Sequence, residues 1–267
     1  MSADVTDTLT LALYQCVPLP LDVAGNLQRL ERAAQNAAQL GAQVLVCPEM
    51  FITGYAIGPA AVQALAQPCD GGYAQQVAAM AQRHGVAVVY GYPERGADGQ
   101  VYNAAQWISA QGQRCLNYRK THLFGELDRV QFAAGVLTSA LVEVQGWRVG
   151  LLICYDVEFP ENTRRLAQAG ADVVLVPTAN MQAYDFVPQS VVPVRAFENQ
   201  MAVAYANYCG TEGDVTYGGL STVAGPDGAV LAIAQRGEQL LTFTLQQQHL
   251  AAIRKVHTHL SESVRRT

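Results

Sequence analysis

Apolar and polar positions along this chain follow two periods. Mostly apolar runs of strand length occur at residues 43–47, 86–90, 147–153, 172–177 and 201–208, most of them set off by a nearby Gly or Pro. A further run at 9–17 is stopped by Pro18 and Pro20. Between these runs the apolar residues fall three and four apart. Leu27, Leu30, Ala34, Ala37 and Leu40 follow a capping Asp22, and similar helical stretches cover 73–84 up to Gly85, 161–169 up to Gly170, and 188–199. Residues 101–108 and 114–118 flank a short Gly-assisted loop and predict a hairpin, as does 222–231 through Pro226-Asp227-Gly228; 240–245 adds a last strand. Alternation of strand and helix predicts an α/β fold. Residues 41–48 and 170–177 share Gly-Ala, an apolar strand and a closing Pro in register, which predicts two similar halves forming two sheets in a single domain spanning 1–267. Residues 1–8 read as a disordered start. Residues 246–267 read as a polar, helix-prone C-terminal tail, a candidate arm over a neighbouring subunit.

Composition narrows the class. Half of the 267 residues are apolar and the formal charge is −5, which describes a globular chain without the basic footprint of a nucleic-acid partner. No apolar stretch approaches the roughly 20 residues that span a bilayer. Asp4 and Asp7 stand where a secretory signal would carry bases, so a cytoplasmic location without membrane attachment is expected. Six cysteines are dispersed, with no CxxC pair and no zinc-type Cys/His spacing, so free thiols and no metal are expected.

Chemistry concentrates where strands end. The run from Trp147 stops at Cys154-Tyr155-Asp156, and strand exits of open α/β sheets face the crevice where ligands bind. A helix expected just beyond Cys154 would favour its thiolate. Glu49 leaves the strand at 43–47 in the same way, and Lys120 opens a charged segment, 119–129, that has neither strand nor helix periodicity. If the fold unites them, Cys154 can attack an amide carbon and Glu49 can take its proton. Lys120 and the N–H of Tyr155 would then steady the oxyanion. The ordinary alternatives are a core cysteine, a turn carboxylate and a surface base.

The blocks Val46-Cys47-Pro48-Glu49-Met50-Phe51, Tyr118-Arg119-Lys120-Thr121-His122-Leu123-Phe124 and Gly150-Leu151-Leu152-Ile153-Cys154-Tyr155-Asp156 resemble the three signature blocks of the nitrilase superfamily of carbon–nitrogen hydrolases. The likeness covers nearly the whole chain. It is most detailed toward the aliphatic amidase branch, especially the 5-aminopentanamidases, through 118–129, 154–165 and Pro177-Thr178-Ala179-Asn180-Met181. The resemblance implies a four-layer αββα sandwich, Glu49 as general base, Lys120 as oxyanion partner, and Cys154 as a thioester-forming nucleophile. It also implies no cofactor, and homodimers packed near the nucleophile-bearing face. A further family carboxylate comes after the lysine. Residue type favours Glu126 for it, whereas counting back from Phe132 favours Asp128.

Cys154-Tyr155-Asp156 resembles the amidase and carbamoylase pattern rather than the Cys-Trp-Glu of nitrilases. Where carbamoyl amino-acid hydrolases tend to carry Arg, this chain has Glu158, which suits a cationic substrate tail; a helix-entry acid is the plain alternative. Asp156 and Asp185 add acids near strand ends, and Tyr155, Glu158 and Asn180 are the expected substrate-binding residues. The expected activity is hydrolysis of a short ω-amino amide such as 5-aminopentanamide. The competing readings are a carbamoyl-amine amidohydrolase, an (R)-selective carboxamide amidase, and a catalytically silent binding protein on the same fold.

Overall fold

The computed structural model describes residues 7–264, and the side chains of residues 7–262. In chain order the regular elements are β1 (Thr8–Gln15), α1 (Val23–Gln39), β2 (Val44–Val46), α2 (Pro59–Leu65), α3 (Gly72–His84), β3 (Ala87–Arg95), β4 (Val101–Ile108), β5 (Arg114–Arg119), α4 (Gly125–Arg129), β6 (Val142–Val144), β7 (Trp147–Leu151), α5 (Pro160–Gln168) and β8 (Val173–Pro177). They continue with α6 (Val192–Asn199), β9 (Ala202–Ala206), β10 (Cys209–Glu212), β11 (Val215–Gly218), β12 (Thr222–Ala224), β13 (Val230–Ile233), β14 (Gln239–Gln246), α7 (Gln247–Val256) and α8 (His259–Val264). Most of the expected disordered start lies outside the described residues, and Thr8 already opens β1. Beyond β14 the tail forms α7 and α8 as far as Val264, in line with the helical tendency of its composition.

Two six-stranded sheets, ordered β14-β1-β2-β3-β4-β5 and β13-β12-β9-β8-β7-β6, face each other. Alternation along β1 explains the layering. Leu9, Leu11 and Leu13 point into the core shared with Val149, Leu151 and Val173 of the other sheet, while Ala12 faces Leu30 of α1 and Val77 of α3. Helices α5 and α6 cover the second sheet through Leu166 and Ala196, completing four layers in one domain. Among the described residues no helix is long and apolar enough to cross a membrane.

The repeated Gly-Ala-strand-Pro segments become equivalent strands. β2 lies parallel between β1 and β3, and β8 lies parallel between β7 and β9. Their ends meet across the seam, where Glu49 N donates to Thr178 O at 3.3 Å. Pro48 follows β2 and Pro177 closes β8, and residues just past both strands converge.

Candidate active site

Glu49 leaves β2 after Pro48 and is fully buried. Its Oε1 accepts from Asn103 Nδ2 and from Lys120 Nζ, each at 2.7 Å, while Oε2 is buried without a hydrogen-bond partner. Gly91 of β3 passes so close to this strand end that a Cβ there would lie 2.2 Å from Met50 N. Lys120 comes directly after β5, and its N–H donates to Asn103 O, which fixes the backbone against β4. Its ammonium, also fully buried, pairs with Asp128 Oδ2 at 2.7 Å as well as with Glu49.

The additional carboxylate at the lysine is therefore Asp128, and the preference for Glu126 is corrected. The intervening α4 is a single turn, and positions two apart on a helix face opposite ways. Asp128 is buried and accepts from Phe124 N at 2.7 Å and Tyr55 Oη at 2.8 Å, whereas Glu126 points to solvent.

Cys154 sits at the exit of β7, across the seam from Glu49 and Lys120 and within electrostatic reach of both. It adopts φ +45°, a left-handed conformation that costs a non-glycine residue energy. A short 3-10 turn, Cys154–Glu158, begins at the thiol itself, and α5 starts only at Pro160. The expected α-helix is present, but its N-terminus lies at Pro160, and only the short 3-10 turn starts at the thiol. Burial, and next the Glu49 charge, push the thiol pKa up, with Lys120 opposing them. The resting group is a thiol that needs a base.

Glu49 can be that base. Burial raises its carboxyl pKa despite Lys120. For Lys120, burial alone would lower the pKa, but Glu49, Tyr55 and Asp128 together hold it well above its usual value. A proton acceptor and a fixed cation, both fully buried, thus stand beside a half-buried nucleophile. That arrangement permits acyl transfer through a tetrahedral intermediate.

The wall beside Cys154 contains Tyr55, Phe124, Tyr155, Glu158, Asn180 and Tyr184. The expected Tyr155, Glu158 and Asn180 are all present there. Asn180 is partly committed, because its Nδ2 donates to Tyr184 O and its backbone N to Asn207 Oδ1. Free space is about 10 Å³, room for a single water. Asp156 and Asp185 do not join this wall. Asp156 is buried and saturated by Tyr118, Thr121, His122 and Ile153, and Asp185 pairs with Arg236. Sequence reasoning missed Tyr55, Phe124 and Tyr184, whose aromatic type gave no signal apart from their nearness to Glu49, Lys120 and Asn180. A larger apolar cavity of about 210 Å³ lies at the opposite ends of β7, β8 and β9 beneath α7, and no cysteine lines it. All six cysteines are free, and among the described residues no cluster of three or more His, Cys, Asp or Glu could hold a metal ion.

Residues 10–255 match the family model described as carbon-nitrogen hydrolase. A Pseudomonas protegens protein called "hydrolase in pqqF 5'region" is 56% identical over 262 residues, covering 98% of this chain and 91% of its own length. An (R)-stereoselective amidase of a Pseudomonas species is 36% identical over 255 residues, covering 95% and 91%. Among solved structures, a cysteine-to-alanine mutant of the amidase from Nesterenkonia sp. AN1, in complex with butyramide, has a TM-score of 0.81 at 33% identity. That likeness covers 91% of this chain and 93% of the other.

Proposed function

This chain belongs to the carbon-nitrogen hydrolase family and is a hydrolytic amidase, and we propose that it acts on a short linear amide bearing a protonated amine at its far end, such as 5-aminopentanamide. In this reading Cys154 Sγ attacks the amide carbon as Glu49 takes its proton. Lys120, held by Asp128, and the N–H of Tyr155 stabilise the oxyanion. Collapse expels ammonia with the proton returned by Glu49, leaving a thioester. Glu49 then deprotonates a water that attacks it, releasing the amino acid and the thiol.

One observation carries the choice of substrate: Glu158 stands in the pocket wall with no ion-pair partner among the described residues. The two nearby cations are engaged elsewhere. Lys120 holds Glu49 and Asp128, and Arg195 donates to the carbonyls of Val157 and Glu158 and pairs with Glu198. Burial raises the Glu158 pKa, with Lys120 and Arg195 opposing, so a substrate ammonium would recover charge that burial disfavours. The rings of Phe124, Tyr155 and Tyr184 line the same slot and attract a cation through their faces. The narrow free space favours an unbranched chain, which must swing the aromatic rim aside to enter. The butyramide held by the Nesterenkonia amidase is likewise a short aliphatic amide. Acting as a homodimer in the cytoplasm is part of the same proposal.

The test compares kcat/KM for 5-aminopentanamide and pentanamide, which differ chiefly by the terminal ammonium. Preference for the charged amide of roughly tenfold to a hundredfold is expected, the scale of one hydrogen bond to a charged group. Glu158→Gln should erode that preference while pentanamide turnover persists. Equal values for the two amides would refute cation selection, and faster ammonia release from a carbamoyl amine would favour a carbamoyl-amine amidohydrolase.

A further inference from the structure

Behind the pocket, and outside its wall, the buried carboxylate of Glu212 in β10 grips the loop beyond Glu49. Its Oε1 accepts the backbone N–H of Tyr55 at 2.9 Å, and its Oε2 accepts that of Ala56 at 3.0 Å and the hydroxyl of Tyr217. The approach is close enough that a Cβ on Gly54, at φ +92°, would lie 2.4 Å from Oε1. Tyr55 passes the constraint onward. Its hydroxyl donates to Asp128 Oδ1 at 2.8 Å, Asp128 Oδ2 holds Lys120 Nζ at 2.7 Å, and that ammonium stands 5.6 Å from the centre of the Tyr55 ring.

We infer that Glu212 is a positioning residue for amide hydrolysis: by fixing the backbone of Tyr55 it sets the Tyr55 hydroxyl against Asp128, and through Asp128 the ammonium of Lys120. The inference rests on the proposed role of Lys120 at the oxyanion. All three partners of Glu212 are donors, so a carboxylate satisfies every one of them. A carboxamide in its place would turn an N–H₂ group toward a backbone N–H and release one side of the grip.

The experiment is a double-mutant cycle on the full chain with Glu212→Gln, Tyr55→Phe and the pair, read by the single-turnover acylation rate, by KM, and by thermal unfolding to establish that each variant is folded. Each single change should slow acylation by roughly tenfold to a hundredfold, the cost of a small misplacement of a catalytic group, while KM moves less. The double variant should lose no more than the worse single one, because without the Tyr55 hydroxyl Glu212 has nothing to act through. Additive losses, or wild-type acylation in folded Glu212→Gln, would overturn the inference. Should Glu212→Gln fail to fold, Tyr55→Phe carries the test, and wild-type acylation there overturns it as well. Lys120→Met, measured alongside, separates the two levels. Wild-type acylation in that variant would remove the underlying reading, whereas an impaired Lys120→Met with an additive cycle would remove only the role of Glu212.

Discussion

Asp128 and Glu126 carry the same charge two positions apart, yet only Asp128 reaches the Lys120 ammonium, at 2.7 Å in the dry interior. A buried cation tied to two carboxylates loses more when one becomes neutral than a surface base would. Asp128→Asn should therefore lower kcat by at least about tenfold, the lower end for a hydrogen bond to a charged group. Glu126→Gln should stay near wild type, and steady-state kinetics of the two variants side by side would expose a wrong assignment as the opposite order. Glu49, as the proposed base, is expected to set the pH behaviour. Because burial raises its carboxyl pKa, it becomes protonated, and is lost as a base, at a higher pH than an ordinary glutamate. The acid limb of kcat/KM against pH should thus fall above the ordinary value of about 4.3. A limb at or below that value would mean that another group supplies the base.

Elements place these residues because strands end abruptly. Cys154 was legible as a strand exit, since the apolar run from Trp147 stops there, and Glu49 was legible for the same reason after β2. The nature of the turn beyond Cys154 was not. A positive φ at a cysteine and a five-residue 3-10 turn leave no periodic trace in the sequence. Nor could the segment 119–129 reveal α4, because one turn is too short to show a period, and that turn decides which acid faces Lys120. The close passage of β3 beneath Glu49 was equally hidden, and it makes a prediction. Gly91→Ala would bring a Cβ to 2.2 Å from Met50 N and 2.8 Å from Glu49 C, so the strand end must shift. Overpacking of this kind costs about 1–3 kcal/mol, and a displaced Glu49 should lower kcat in addition. A urea midpoint and a kcat both equal to wild type would show that the contact is slack.

Across the whole molecule, the site straddles the seam between two similar halves. Glu49 and Lys120 come from the ends of β2 and β5 in one sheet, and Cys154 from the end of β7 in the other. The repeated eight-residue segment announced the two halves because each buries its own parallel central strand. The return of β14 to pair with β1 and the β10–β11 hairpin that carries Glu212 went unannounced, since pairing between distant segments is not written in local periodicity. Cys154, alone among the six cysteines, is proposed to carry the acyl group across this seam. Rapid mixing with excess 5-aminopentanamide or butyramide, acid quenching and peptide mass analysis measure it directly. The predicted result is a burst of ammonia matched by an acyl adduct on the peptide bearing Cys154, with neither burst nor adduct in Cys154→Ala. An adduct on another cysteine, or sustained ammonia release from pure Cys154→Ala, would contradict it.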